Sequence, residues 1–518
     1  MYSAKSSRGE PRLEHQCFTV QHLIGEYRAG RVVIPEFQRE YVWKKNRAPH
    51  LIDSLYRGYP ISSLLLWIST EATTPRRRDP RPMRSGAVSW LIDGQQRLIT
   101  LSRCMSGDED IDVVFNPDTE QFRLANAATK RDPNWYRLAE IWEDESYRNI
   151  RRNLIDAKGD SREETFERVR RILRYEVPSV RMIDHSFKDA VDAFKRINTL
   201  GVKLKKEDIE SAQVAARHTG FIANDVAPFL DEVRKQGFSR LNVMHLFRAC
   251  AFIARPDGRS RTPLHELDTR EVQSAWSDTK KATRDALGVV RSELGLVNMD
   301  ILWSGSLLVP LIILCATMGA RDRDARGMIG WLVLAALRHR YSGAAETALD
   351  QDLRACRADD PIRGLLGNLR RQGGAIRATP DEFGGALVDK GGLLGVYVAC
   401  HQRGIMDLFS DGKVILQSAV ERHHILPRAQ FAENDRVGAD CVANIAFVSE
   451  GANRAVSSSG PEVYLKKTKK KVLQSQCIPL DPELWSIENA SSFWDARKEL
   501  LAEAFNEFLR EKLPGRRI

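Results

Sequence analysis

The stretch that most constrains the fold is Val88-Ser89-Trp90-Leu91-Ile92, followed by Asp93-Gly94 and then Gln95-Gln96-Arg97-Leu98-Ile99-Thr100-Leu101. The mostly apolar first run predicts a buried strand, and Asp-Gly suits a tight turn. From Gln95 to Met105 apolar side chains recur at helical spacing. The reading is strand, sharp turn, helix start. A helix start presents backbone N–H groups and a positive dipole end, which together attract phosphate. Arg97 in the first turn adds a forked donor for a phosphoryl group, and Asp93 is placed to hold a metal or orient a water. The plainer alternative is a capped helix with a surface arginine.

Upstream, Phe18 to Ala29 has helical spacing after a polar lead and stops at Gly30. Val32 to Ile34 then predicts a short strand that runs into Pro35, and proline argues against a regular central strand beyond it. The segment Pro35 to Trp43 reads as a shaped loop that sets Gln38 and Arg39 in a pocket, with Tyr41 and Trp43 as walls or as core packing. A helix over Arg47 to Arg57, a strand over Ser62 to Ile68 and a basic loop over Glu71 to Ser85 lead back to the Asp93 turn. This order describes a compact α+β unit.

The chain has 518 residues, 42% hydrophobic and 29% charged, a soluble globular balance with room for two to four domains at about 150 residues each. A net charge of +10 permits a polyanionic partner such as nucleic acid without demanding one. Eight cysteines without a close pair read as reduced thiols rather than a disulfide framework or zinc knuckle. No charged-then-apolar leader opens the chain, and the most apolar stretch, Leu307 to Met318, is interrupted by Pro310 and too short to span a bilayer. The expectation is a cytoplasmic protein with no membrane partner.

Three elements in order carry a family resemblance: Ile34-Pro35-x-x-Gln38-Arg39-x-Tyr41-x-Trp43, then Asp93-Gly94-Gln95-Gln96-Arg97, then Phe194-Lys195-Arg196-Ile197-Asn198-Thr199-Leu200-Gly201. Together they resemble the amino-terminal domain of GmrSD-type, modification-dependent restriction enzymes, which belongs with the ParB/sulfiredoxin-like nucleotide-binding folds. The resemblance implies that Gln38, Arg39, Asp93, Gly94, Gln95, Gln96, Arg97 and Asn198 handle a nucleoside triphosphate, with Asp93 and Arg97 in its hydrolysis. GTP is the expected nucleotide, although the residues do not separate GTP from ATP. The third element reads as a helix over Phe187 to Ile197, with Asn198 in the connection after it and Asp208 near the start of the next helix.

Between these and the carboxy-terminal end the pattern is a hairpin over Asp110 to Leu124, charged helices from Ser146 to Glu176, a strand over Ser179 to Ile183, and then almost pure helix. Expected helices include Val243 to Ala254, Glu271 to Leu287, Leu307 to Met318 and Ala325 to Arg340. No catalytic constellation stands in this scaffold, which is a candidate homodimer surface.

Chemistry returns at Glu421-Arg422-His423-His424-Ile425-Leu426-Pro427, with Asn444 and Asn453 downstream. Vicinal histidines, a proline and two spaced asparagines resemble an HNH, or His-Me finger, nuclease, the domain type that partners the amino-terminal one in GmrSD-like enzymes. Phosphodiester hydrolysis needs a base to activate water and a divalent cation to neutralise charge. The resemblance places His424 as general base, His423 and Asn453 as metal ligands, and Asn444 as the residue that pins the intervening loop. Mg²⁺ or Mn²⁺ is expected; imidazole at position 423 suits Mn²⁺, Ni²⁺ or Zn²⁺ better than Mg²⁺. Arg454, Lys466, Lys467, Lys469 and Lys470 are candidate DNA-backbone contacts, although a charge run also fits a solvated helix face. A last amphipathic helix spans Ser491 to Leu513.

The expected architecture is α+β multidomain: a ParB-like domain over 1–215, a helical scaffold over 216–374 and a ββα-metal (HNH) domain over 375–518. The expected function is an anti-phage DNA nickase that senses modified double-stranded DNA, phosphorothioate first, and couples this to GTP hydrolysis beside a companion DNA-modification system. Alternatives are a type IV enzyme cutting DNA with modified bases such as glucosylated hydroxymethylcytosine, a ParB-like DNA-binding switch without nuclease activity, and an RNA-directed nuclease.

Overall fold

The computed structural model describes residues 10–38, 41, 43–69, 88–154, 159–200, 206–255, 262–319, 321–386, 389–409, 420–433, 436–449 and 460–515, with backbone alone at 153–154, 159–161, 198–200, 206, 420 and 437. Two compact units divide the chain, Met1–Ala227 and Pro228–Ile518.

The first unit runs β1 (Arg12–Thr19), α1 (Val20–Arg28), β2 (Val32–Val33), α2 (Arg47–Tyr56), β3 (Leu64–Ser69), β4 (Val88–Asp93), α3 (Gln95–Ser106), β5 (Val113–Asn116), β6 (Gln121–Leu124), β7 (Tyr136–Arg137), α4 (Leu138–Trp142), α5 (Asp144–Leu154), α6 (Gly159–Arg171), β8 (Glu176–Ile183), α7 (Phe187–Leu200) and α8 (Lys206–Arg217). Five strands form a mixed sheet in the order β1-β8-β3-β4-β2, and β6-β5-β7 form a second, antiparallel one. Within the larger sheet β2–β4 and β3–β8 are parallel, while β1–β8 and β3–β4 are antiparallel.

The polar lead expected before α1 is instead the edge strand β1. Its side chains are mostly exposed, so periodicity does not mark it; its ladder to β8 and the ion pairs Arg12–Asp184 and Glu14–Arg181 hold it. One face of the sheet buries Leu23, Ile52, Leu66, Leu91 and Leu98 in the main core. Trp67 and Trp90 belong to an aromatic cluster in which Phe187 of α7 packs on Trp67 and Phe37, and Phe194 of α7 packs on Phe37.

The second unit contains α9 (Ala227–Lys235, which begins at the boundary), α10 (Val243–Ala254), α11 (Thr269–Leu294), α12 (Leu308–Thr317), α13 (Ala325–Leu337), α14 (Ala345–Ala355), α15 (Pro361–Gly373), α16 (Lys390–Gln402), β9 (Val420–His424), α17 (Arg436–Ala439), β10 (Ile445–Ser449), α18 (Pro461–Lys467), α19 (Lys470–Ser475) and α20 (Ala490–Lys512). Capping boxes at Asn242 and Asp268 start α10 and α11. Leu308 to Cys315 of α12 and Gly327 to Leu337 of α13 are buried on every side, which is why their sequences lack a polar face. Among the described residues no helix is long and apolar enough to cross a membrane. The antiparallel pair β9–β10 sets His424 opposite Ile445, and α18 follows it.

Candidate functional site

The Asp93 turn is built as its sequence predicts. Gly94 has φ +97°, and a Cβ there would meet Leu64 Cδ2 at 2.1 Å, so both backbone conformation and space require glycine. The β3–β4 ladder skips a residue beside the turn: Leu66 faces Leu91 but Leu65 faces Asp93. The Ile92 carbonyl at this irregularity accepts a hydrogen bond from Gln38 Nε2 at 2.6 Å.

The motif side chains are largely engaged by the protein itself. Arg97 donates from Nη1 to Ile61 O at 2.6 Å and from Nη2 to Ser63 O at 2.9 Å and Asp93 Oδ2 at 3.2 Å. Burial pulls the guanidinium below its ordinary pKa, and Asp93 opposes that. Gln96 Oε1 accepts from Trp43 N at 3.2 Å, Thr100 Oγ1 donates to Gln96 O at 2.7 Å, and Tyr41 Oη lies 2.9 Å from Thr100 Oγ1. The Arg103 guanidinium stacks 4.8 Å from the Tyr41 ring centre. The described residues of 35–43 and those of 92–103 thus form one constellation that joins Gln38, Tyr41, Trp43, Asp93, Gln96 and Arg97, with Gln95 buried beside them.

Arg39 lies outside the described residues, and Asn198 is described only in its backbone. Asn198 is not in a connection after the helix: α7 continues to Leu200 and carries it in the last turn. A cavity of about 750 Å³ in this unit lies away from the motif, lined by Lys45, Asp110, Asp112, Lys130, Trp135 and Arg137 among others.

Glu36 has a role that sequence reasoning missed. It is 4% exposed, and its carboxylate accepts from Gly220 N at 2.8 Å and Ala223 N at 3.0 Å. Burial raises its pKa and the backbone donors oppose the rise. The signal was an acid inside the apolar run Val32 to Phe37; its partners are too distant in sequence for any spacing rule to supply them.

In the second unit, β9 presents His423 and His424 in alternation, which sends successive side chains to opposite faces. His424 is partly exposed, and its Nε2 lies 3.0 Å from Asp440 Oδ1. Arg428 Nε holds the other oxygen, Oδ2, at 3.0 Å. A carboxylate only accepts, so Nε2 carries the hydrogen and Nδ1 is the basic nitrogen. His423 is buried, its Nε2 3.3 Å from Tyr464 Oη and its ring edge-on to Phe409; the Tyr464 hydroxyl donates in turn to Ile425 O. The two histidines therefore do not converge on one point.

Asn444 is fully buried. It accepts from Leu426 N and donates to Leu426 O and Ala439 O, each at 2.9 Å, which ties together the two ends of the loop between β9 and β10. Asp440 and Arg497 are the residues sequence reading did not assign here. Arg497, fully buried, donates to Ala443 O, Ile445 O and Gln476 O at 2.6, 2.8 and 3.0 Å. Lys466, Lys467, Lys469 and Lys470 are exposed, while Tyr464 and Leu465 anchor their segment inward. Asn453 and Arg454 lie outside the described residues, and no cluster of three His, Cys, Asp or Glu suited to a metal ion occurs among the described ones.

Comparison with known proteins bears on the first unit. Residues 20–215 match the family model described as GmrSD restriction endonuclease, N-terminal domain. The chain is also 21% identical to the uncharacterized protein MJ0686 of Methanocaldococcus jannaschii, over 88% of this chain and 87% of that protein. The likeness to this relative runs well past the matched domain.

Proposed function

We propose that this chain is a restriction-type DNA endonuclease in which the first unit binds and hydrolyses a nucleoside triphosphate and senses modified DNA, while the second unit cuts. The observation that carries the cutting half is the His424–Asp440–Arg428 chain on β9 and its loop. The family match over residues 20–215 supports the restriction half.

In this reading His424 Nδ1 takes a proton from water as the oxygen attacks phosphorus, and Asp440 stabilises the imidazolium that forms. Arg428 keeps Asp440 in place, and Asn444 with Arg497 fixes the backbone on which both stand. The exposed lysines of α18 and α19 hold the DNA backbone without reading sequence. A divalent cation would neutralise charge on the phosphate. The described residues do not assemble a set of ligands for it: His423 is turned into the core, and both Asp440 oxygens are engaged. Its binding belongs to the proposal through Asn453.

In the first unit, Gln38, Gln96 and Arg97 shape the turn, and Asp93 with the α3 start and Arg39 meets the nucleotide. GTP as nucleotide, phosphorothioate as the modification and nicking as the outcome are the finer parts of the proposal, which rest on the resemblance of the motifs.

The test is a panel of plain, phosphorothioated and glucosylated plasmids offered to the full chain with Mg²⁺ or Mn²⁺ and with GTP or ATP. The expected result is nicking with nucleotide release stimulated by the phosphorothioated plasmid above the other two. Equal stimulation by all three would overturn modification sensing, and stimulation by the glucosylated plasmid alone would move the chain to base-modification restriction.

A further inference from the structure

The second unit holds another histidine–carboxylate pair besides His424 and Asp440. His339 Nε2 lies 2.9 Å from Asp389 Oδ1, and the same oxygen accepts from Gly391 N at 2.9 Å and Gly392 N at 3.0 Å. A carboxylate oxygen only accepts, so Nε2 carries the hydrogen. Asp389 thus starts α16 and holds the imidazole with one atom. The backbone is strained to allow it. His339 follows the end of α13 at φ +49°, a left-handed position where helices ordinarily place glycine. Glycines elsewhere make room for the pair: a Cβ on Gly391 would meet Ala336 O at 2.4 Å and His339 Cε1 at 2.9 Å, and one on Gly385 would meet Asp389 Oδ2 at 2.4 Å.

The backbone beside Asp389 is joined to the His424 loop. Val442 N donates to Gly385 O at 2.9 Å, Ala386 and Cys441 form an antiparallel bridge, and Asp389 N donates back to Ala386 O at 2.7 Å. Gly392, whose N–H Asp389 holds, sits so near Val442 that a Cβ on it would meet Val442 Cγ2 at 3.1 Å. Cys441 directly follows Asp440, the partner of His424. Contacts therefore run without a break from His339 through Asp389 and Ala386 to the residue next to Asp440. Asn444 and Arg497 secure residues 439, 443 and 445 of the loop, and this strip secures 441 and 442.

We propose that His339 and Asp389 are positioning residues for Asp440: they hold Gly385 and Ala386 against Cys441 and Val442, and so set how Asp440 meets His424. A histidine kept at a left-handed position is the observation that separates this from ordinary packing. Glycine there would relieve the backbone but would leave Asp389 without its imidazole. The effect on cutting rests on the nuclease function proposed above; the brace itself does not.

The experiment compares the full chain with His339→Gly, Asp440→Asn and the double variant by amide exchange and plasmid cleavage. In His339→Gly, exchange at the Val442 amide should quicken about tenfold, and kcat for cleavage should fall about tenfold with KM unchanged. In the Asp440→Asn background the change to glycine should cost no further rate, because the brace acts through Asp440. Unchanged exchange at Val442 would overturn the brace, and the same tenfold loss of kcat in both backgrounds would overturn its action through Asp440. Asp389 supplies a second pair of variants should His339→Gly fold poorly. Asp389→Asn keeps an acceptor for His339 and the two glycine amides and should retain the parent's exchange and rate, whereas Asp389→Ala should lose both. Equal behaviour of these two variants would remove the hydrogen-bonded role. Exchange at Val442 is read even in a chain that cuts no DNA, so failure of the nuclease reading remains distinguishable from failure of the brace.

Discussion

The Asp93 turn and the His424 loop solve the same problem differently. Each must hold a short irregular backbone beside a strand end. In the first unit the motif residues do the holding: Gln38 takes Ile92 O, Arg97 takes Ile61 O and Ser63 O, and Gln96 takes Trp43 N. In the second, Asn444 and Arg497 hold the backbone from inside, and His424 keeps a partly exposed ring with Asp440 and Arg428 behind it. A side chain that is also scaffold cannot be removed without moving the site, whereas a side chain carried by separate scaffold can. Loss of function at the two places therefore means different things.

The largest effect should come from the second unit's scaffold. Arg497→Met leaves three buried carbonyls without their donor, and at ~1–3 kcal/mol for each such loss a destabilisation of about 4 kcal/mol is expected in urea unfolding. A variant as stable as the parent would remove Arg497 from the comparison.

Acid separates the units next. Burial lowers the pKa of His245 from 6.5 to about 4. The folded state resists the proton, so this contribution is complete above the unfolded pKa and is lost as pH falls from 6.5 through 4. That shift is worth roughly 3 kcal/mol at ~1.4 kcal/mol per pH unit. His245→Gln should flatten the pH dependence of the second unit's unfolding, and an unchanged slope would assign the acid loss elsewhere.

Arg97 carries the comparison in the first unit. Arg97→Ala should destabilise it by about 2 kcal/mol, because Ile61 O and Ser63 O lose a common donor, and should abolish nucleotide hydrolysis with it. Arg97→Lys should not restore either, since an ammonium cannot reproduce the fork. Wild-type stability in Arg97→Ala, read by thermal unfolding, would mean that the residue is not scaffold.

What the sequence made legible follows the same division. Strand β4, the turn and α3 could be read because an apolar run, a Gly with positive φ and helical spacing are all local. α10 could be read for the same reason, and α12 because a helix apolar all round announces its burial. Strand β1 could not be, because its pairing with β8 rather than its own pattern makes it a strand. Helix α11 runs beyond its expected end at Leu287, through Gly288, because Val290 and Leu294 are buried in the packed unit. At the sites, motif residues were visible as types but not as partners. Glu36 meets Gly220, Asp440 meets His424 and Arg497 meets Ala443 across gaps that only the tertiary fold closes.

The central claim, that His424 is chemistry on separate scaffold, is tested most directly by plasmid cleavage with His424→Ala beside Asp440→Asn at matched folding. The account predicts that His424→Ala abolishes cutting with a stability change of less than about 1 kcal/mol, as for a partly exposed side chain. Asp440→Asn should retain a reduced rate, because the imidazole remains but its tautomer and charge lose their partner. Cleavage by His424→Ala at the parent rate would contradict the account.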